Sequence, residues 1–243
     1  PTGTGLSSNQ VRALHVAKDG IVWIGTWGGG LNRLDSKTDT IKYIKSSLNN
    51  DQTLSSNNIS AIYSTNENSL WIGTNKGLNQ YDPISGQFKR YLHQPTQHNS
   101  LSNNMVNTIF RDRKGRLWVG TRYGLNCLLE TQDRFLRYFF YSEQHSNSNT
   151  IKSIFEDRSG VLWVGTENGL MNLNKFAFIF NNIKEDTQDL NSISSNTVIS
   201  ITPGERGTIW IGTDKGLNHF DRYQNKITRF KYPSENLMDN YVI

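Results

Sequence analysis

"LWIGTNKGLNQYD" (Leu70–Asp82) is one of five near-copies of a single phrase. The others are "VWIGTWGGGLNRLD" from Val22, "LWVGTRYGLNCLL" from Leu117, "LWVGTENGLMNLN" from Leu162 and "IWIGTDKGLNHFD" from Ile209. Their tryptophans, Trp23, Trp71, Trp118, Trp163 and Trp210, stand 48, 47, 45 and 47 residues apart. A fixed period of this length marks an architecture in which one supersecondary unit is copied and stacked. Trp, Gly, Thr, Gly and Leu hold their places in the phrase, while the residues just before the second glycine vary.

One full period, Asn57 to Ser100, parses into four short apolar segments, "ISAIYS", "SLWIGT", "LNQYD" and "QFKRYL". Each has the length of a strand and is bounded by Asn, Gly, Pro or Ser. None carries helical periodicity. Four antiparallel strands in each repeat of roughly 40–50 residues is the pattern of a β-propeller blade. The expected fold is therefore all-β, a propeller of four-stranded antiparallel blades. Five blades are placed at about 6–53, 54–100, 101–147, 148–193 and 194–235, and 236–243 ("NLMDNYVI") matches the start of a sixth.

The first strand and the Trp strand are apolar on both faces, as strands sandwiched between neighbours are. The later segments "IKYIKS", "FKRYLH", "FLRYFF" and "ITRFKY" alternate charge with aromatic residues and read as outer strands. Each Trp is expected to pack on the adjacent blade, and the glycine two residues on to admit a neighbouring backbone or ring. The variable pair with its glycine reads as a three-residue hairpin connection closed by a left-handed glycine. "TWGGGL" in the first copy is one residue longer and puts Trp27 in a wider loop. Met171 replaces the Asn of "GLN" and Asn174 the Asp found at the end of three copies, so the fourth blade is expected to be irregular.

Composition excludes several classes. The net charge of +5 comes from 26 basic and 21 acidic residues spread over all five repeats, with no basic helix to enter a groove, so nucleic acid is not an expected partner. The densest run, "RDRKGR" (Arg111–Arg116), reads as a solvated turn. No apolar run approaches the ~20 residues of a membrane helix, so a membrane is reached only through flanking segments, where any leader peptide would also lie. The one cysteine, Cys127, forms no internal disulfide and reads as a half-buried strand residue.

The histidines His15, His93, His98, His145 and His219 fall at unrelated repeat positions, without a metalloprotease motif or a helical pair. No catalytic residue, cofactor or metal site is expected. Asp35, Asp82 and Asp221 each stand alone at a strand end and are expected to cap turns rather than hold calcium. "DRSGVLW" at Asp157 is faintly similar to a sialidase Asp-box, one residue off in spacing, and reads as a turn.

The "WIGT…GLNR.D" phrase, with its aromatic strand and "LSSN" linker, resembles the two-component regulator propeller repeat. The resemblance covers nearly the whole chain. It implies a non-catalytic, periplasmic sensor region of a bacterial membrane signalling protein, coupled to a histidine kinase or a cyclic-dinucleotide synthase and dimeric in the full-length protein. In that family the ring is commonly seven-bladed and some members sense oligosaccharides. The alternative is a scaffold propeller for protein contacts or dimerisation without a small ligand.

A small-molecule or oligosaccharide ligand is expected on the rim that carries the variable hairpin residues together with the Asn/Ser-rich linkers, because loops on a rigid scaffold carry recognition. The candidate ligand-binding residues are Trp27, Lys76, Arg122, Tyr123, Glu167, Asn168, Asp214 and Lys215. They combine aromatic faces with charged and amide groups, as small polar ligands require.

Overall fold

The computed structural model describes residues 2–3, 5–66, 69–140, 149–173 and 180–230. The first sheet holds β1 (Thr2–Gly3), β2 (Val11–Val16), β3 (Ile21–Thr26), β4 (Gly30–Asp35) and β5 (Thr40–Ile44). The second holds β6 (Ile59–Asn66), β7 (Ser69–Thr74), β8 (Gly77–Tyr81) and β9 (Phe88–Tyr91). The third holds β10 (Val106–Arg111), β11 (Leu117–Thr121), β12 (Gly124–Leu129) and β13 (Arg134–Tyr138). The fourth holds β14 (Ile151–Glu156), β15 (Leu162–Thr166), β16 (Gly169–Leu173) and β17 (Phe180–Ile183). The fifth holds β18 (Val198–Pro203), β19 (Ile209–Thr213), β20 (Gly216–Asp221) and β21 (Lys226–Phe230).

Chain order is spatial order in every sheet but the first, where β1 adds antiparallel to the edge of β5. The Trp strand is thus always interior to its sheet. Two short 3-10 segments, Glu130–Gln132 and Glu205–Gly207, are the helical elements among the described residues. No helix among them is long and apolar enough to cross a membrane.

The chain forms two compact units, the first built on the first three sheets and the second on the fourth and fifth with short stretches of the third repeat. Inside each unit the core lies between neighbouring sheets. Trp23 and Leu31 of the first sheet cluster with Leu54, Ile59, Leu70 and Ile72 of the second repeat. Trp71 and Leu78 do the same with Leu101, Val106, Leu117 and Val119, and Trp163 and Leu170 with Ile193, Val198, Ile209 and Ile211. Four of the five tryptophans are buried, and Trp210 is half-buried.

The glycine after each Trp serves this packing, but not by admitting a backbone or ring. A Cβ on Gly25 would lie 2.4 Å from Ile59 Cγ2, on Gly73 2.6 Å from Val106 Cγ1, and on Gly165 2.7 Å from Val198 Cγ1. The visitor is a β-branched side chain from the first strand of the next sheet. A register shift recurs in the first strand of all five sheets, immediately after that β-branched residue: Val11/Ala13, Ile59/Ala61, Val106/Thr108, Ile151/Ser153 and Val198/Ser200. A bulge bends the strand and re-aims its side chains, and here it accompanies the residue that fills the glycine slot. Ile59, Val106, Ile151 and Val198 are all 0% exposed, whereas Val11 is 42% exposed. β2 is accordingly half-exposed, against the expectation that every first strand is sandwiched.

The invariant Thr and the Asn of "GLN" form a buried polar node with the linker. Thr74 Oγ1 donates to the carbonyl of Gly77 at 2.9 Å, closing the hairpin, and lies 2.9 Å from Ser55 Oγ. Asn79 Oδ1 accepts the Ser55 N–H at 2.9 Å, while its Nδ2 donates to Ser55 Oγ at 2.8 Å and to the Ile72 carbonyl at 3.2 Å. Ser102 with Asn126 and Thr121, and Ser194 with Asn218 and Thr213, repeat the arrangement. The linker's asparagine faces the preceding sheet: Asn104 Oδ1 accepts the His93 N–H at 2.7 Å, and its carbonyl accepts the Gly77 N–H at 2.7 Å. A fourth-strand arginine holds the linker from outside. Arg90 Nε donates to the Thr53 carbonyl at 2.8 Å, and Arg137 and Arg229 do the same to Ser100 and Ser192, each at 2.7 Å.

Several expectations need correction. In the later sheets the hairpin loop has two residues, because Gly77 pairs with Thr74 inside the ladder. A φ of +117° at Gly77, and a Tyr91 carbonyl that would stand 2.8 Å from any Cβ there, explain the glycine. The fourth sheet is regular along its β15 and β16 ladders, since Met171 is buried at the Asn position and Thr166 still closes the turn at 2.8 Å. Cys127 is fully buried. The "RDRKGR" run turns at its exposed Arg113 and Lys114 as expected, while its flanking charges are paired: Asp112 takes Arg116 Nε at 2.6 Å, and Arg111 lies 3.5 Å from Glu130. Asp35, Asp82 and Asp221 do accept turn N–H groups, from Lys37, Ile84 and Tyr223. Asn174 and the segment 236–243 lie outside the described residues.

These contacts set the cost of two substitutions. Ile59→Ala should cost about 2–4 kcal/mol in urea unfolding, while Val11→Ala at the same repeat position should cost under about 1 kcal/mol; equal costs would refute the difference in burial. Asn126→Ala should cost about 2–4 kcal/mol by the same measurement, because it strips partners from the buried Ser102 N–H and the Val119 carbonyl.

Candidate functional site

The eight rim residues sit on the connections between second and third strands, and their environments differ. Trp27 is 38% exposed, with its backbone N–H donated to the Gln10 carbonyl at 2.8 Å. Lys76 and Arg122 are exposed, as is Tyr123, whose ring centre is 5.4 Å from that of Phe139. Glu167 is tied to Lys152 at 2.7 Å and Lys215 to Glu185 at 3.4 Å. Asn168, expected on an open turn, is only 7% exposed. Its Nδ2, together with Oδ1 of Asn75 and of Asp214, is buried without a hydrogen-bond partner among the described residues. Such orphaned groups on a rim call for water or ligand. The Asn/Ser linkers divide: Ser55, Ser102 and Ser194 are engaged in the buried nodes, while residues 47–52 and 186–191 are exposed.

A second site, outside the residues singled out from the sequence, is a cleft of about 690 Å³ at the other end of the second and third sheets. Its chemistry is carried by Gln80, Lys89, Tyr91, Arg111, Glu130 and Asp133, over Trp71 and Leu128. Lys89 Nζ lies 2.6 Å from Asp133 Oδ2 and 4.9 Å from the centre of the Tyr91 ring. The Tyr91 hydroxyl donates to Asp133 Oδ1 at 2.9 Å, with Gln80 Oε1 3.3 Å away. Burial, the bond to Asp133 and the nearby carboxylate charges hold the Tyr91 phenol above its ordinary range. The hydrogen bond from Lys89 is the largest influence on Asp133; with the weaker Tyr91 bond and the Lys89 charge it outweighs the opposing push from burial and holds the carboxyl below its usual value.

One register position differs between this cleft and two of the closed grooves. The fifth residue from the hairpin glycine is Tyr81 in the second sheet and Phe220 in the fifth. Tyr81 meets Trp23 edge-on at 6.0 Å, and Phe220 meets Trp163 edge-on at 5.9 Å. Leu128 stands at that position in the third sheet; Trp71 meets Tyr91 of its own sheet at 5.5 Å, and the cleft opens beside that pair and Leu128. The first and fourth sheets carry Leu34 and Leu173 at the same position, so a comparison of the repeats does not by itself single out Leu128.

Between the fourth and fifth sheets the matching space is closed by a buried ion pair. Asp157 Oδ2 accepts Trp163 Nε1 at 2.6 Å and pairs with Arg222, whose guanidinium lies 5.9 Å from the Trp163 ring centre. Burial pushes the Asp157 carboxyl up. Hydrogen bonds from Ser159, Trp163 and the Val161 N–H, with the Arg222 charge, outweigh it and hold the pKa below its ordinary 3.8. The Asp-box-like segment is therefore a turn whose carboxylate locks two sheets together.

Four-stranded antiparallel sheets with interior Trp strands, packed on their neighbours within each unit through a glycine slot, define a β-propeller repeat protein. The two-component regulator propeller pattern matches residues 5–28, 53–76, 100–123, 145–168 and 192–215, and the chain belongs to that family. No curated protein matches it in sequence. Among solved structures it is similar to the extracellular domain of a B. thetaiotaomicron protein described as a one-component system, with 25% identity and a TM-score of 0.73 over 93% of this chain and 28% of that one. It is also similar to the extracellular domain of a B. thetaiotaomicron hybrid two-component system, with 24% identity, a TM-score of 0.57, and 96% and 36% coverage. Virginiamycin B lyase from Staphylococcus aureus shares the fold at 14% identity and a TM-score of 0.69, with 97% and 75% coverage. The chain spans under two fifths of the length of the two extracellular domains.

The Asp157 lock has a pH signature. A carboxylate whose pKa is depressed on folding stabilises fully above its unfolded value and loses that contribution as pH falls through the folded one. Melting temperature should therefore fall as pH drops below about 3.8, and Asp157→Asn should flatten that acid limb while costing about 2 kcal/mol at pH 7. An unchanged acid limb would refute the assignment.

Proposed function

We propose that this chain is the extracytoplasmic, non-catalytic ligand-sensing propeller of a bacterial membrane signalling protein. The observation that carries the reading is the fivefold two-component regulator propeller repeat in a chain that aligns over 93% of its length with an extracellular domain at 25% identity. The orphaned polar atoms of Asn75, Asn168 and Asp214 support a ligand-facing role for the hairpin rim. Coupling to a kinase or cyclase and dimerisation of the full-length protein belong to the same reading.

The coding sequence on either side of the segment tests it. A membrane-spanning helix, an output domain and further Trp-Gly-Thr repeats are expected, and flanks with no membrane span would overturn the reading. In the full-length protein, a Trp27→Ala, Tyr123→Ala double variant should lose its ligand response and keep its oligomeric state. Retained response with loss of the dimer would instead identify a scaffold.

A further inference from the structure

We propose that the cleft between the second and third sheets binds a neutral, hydroxyl-rich small molecule of one or two sugar-sized rings, a reading that rests on the ligand-sensing role and adds a site distinct from the hairpin rim. The comparison with the other grooves is the starting point. Where Tyr81 or Phe220 fills the space before a tryptophan, the groove is closed by an aromatic edge, and between the fourth and fifth sheets Arg222 completes the seal on Asp157. In the third sheet the two corresponding residues are Leu128 and Glu130. The shorter Leu128 cannot reach across, and Glu130 turns to Arg111 at 3.5 Å. The resulting volume, about 690 Å³, falls within the roughly 300–1,000 Å³ of ordinary small-molecule sites.

The lining defines the ligand. Two cations and two carboxylates face the cleft, and they already form two pairs, Lys89 with Asp133 and Arg111 with Glu130. No net charge is left to recognise a charged molecule, and burying an unmatched charge there would be costly. Each pair nevertheless keeps unused capacity, because a guanidinium carries five N–H donors and a carboxylate about four acceptor sites. A hydroxyl both donates and accepts, so adjacent hydroxyls can bridge the cation and the anion of one pair without breaking it. Ser69 and Gln80, joined by a 3.1 Å hydrogen bond, add a neutral polar wall of the same kind.

The test is titration calorimetry of the 243-residue chain with maltose, cellobiose, lactose and sucrose, and with glucuronate and glucosamine as charged counterparts. At least one neutral disaccharide is expected to bind more tightly than either charged sugar. Leu128→Phe restores the aromatic plug that the chain itself uses at this position and should abolish that binding. Should this variant fold poorly, Asp133→Ala is the second probe, since both it and Lys89 are half-exposed; it should weaken binding by about tenfold, the equivalent of one hydrogen bond to a charged group. Absence of binding by every neutral disaccharide, preference for a charged sugar, or binding that survives both variants would each overturn the cleft assignment. In the last case ligand sensing would stand and the site would move to the hairpin rim; the flanking-sequence test judges that wider reading independently.

Discussion

Between one sheet and the next the chain must cross a region where no strand can pair with it, and its backbone groups still need partners. Nodes of Thr, Asn and linker Ser meet that constraint. Asn79, Asn126 and Asn218 each accept a linker N–H through Oδ1 and donate through Nδ2 to a strand carbonyl and a serine hydroxyl. Thr74 and Thr213 close the adjoining hairpins with the same hydroxyl that faces the linker serine. Because a buried amide left without partners is costly, the linker has one path, and that path sets where the following first strand begins.

With that start fixed, the remaining packing is determined closely. Ile59, Val106 and Val198, each the first β-branched residue of its strand, enter the glycine slot of the preceding sheet, and the recurring bulge beside them keeps the rest of the strand in register with its own Trp strand. The arginines at Arg90, Arg137 and Arg229 secure the linker carbonyls from the other side. Such a scaffold tolerates variation at two places without losing its geometry. One is the pair of hairpin residues, and the other is the groove before each tryptophan, where Tyr81, Leu128 and Phe220 give a closed, an open and a sealed outcome. Both are sites where function can be written onto a constant frame.

Much of the frame was legible in the residues. The spacing of Trp23, Trp71, Trp118, Trp163 and Trp210 fixed the repeat, and the four apolar segments of each period fixed the strands. The roles of individual invariant residues were less legible. Gly73 looked like a place for a neighbouring ring, yet it receives Val106, more than 30 residues away in sequence. Within the Asn/Ser-rich linkers the "LSSN" ends answer backbone groups of two different sheets, while the stretches before them stay exposed. Met171 looked like a defect and is a buried substitute. Asn168 sits in a two-residue turn whose sequence marks it as open, yet it is buried.

The sequence by itself determined the repeat, the strand order and the family, because period and local pattern are properties of neighbouring residues. Only the tertiary structure decided which polar residues are spent on the frame and which face a cavity. Lys89, Asp133 and Arg111 lie in two repeats and in three different strands or connections, and nothing local marks them as companions. They meet because adjacent sheets stack, and they border a cleft where Leu128 stands in place of the aromatic rings that meet Trp23 and Trp163.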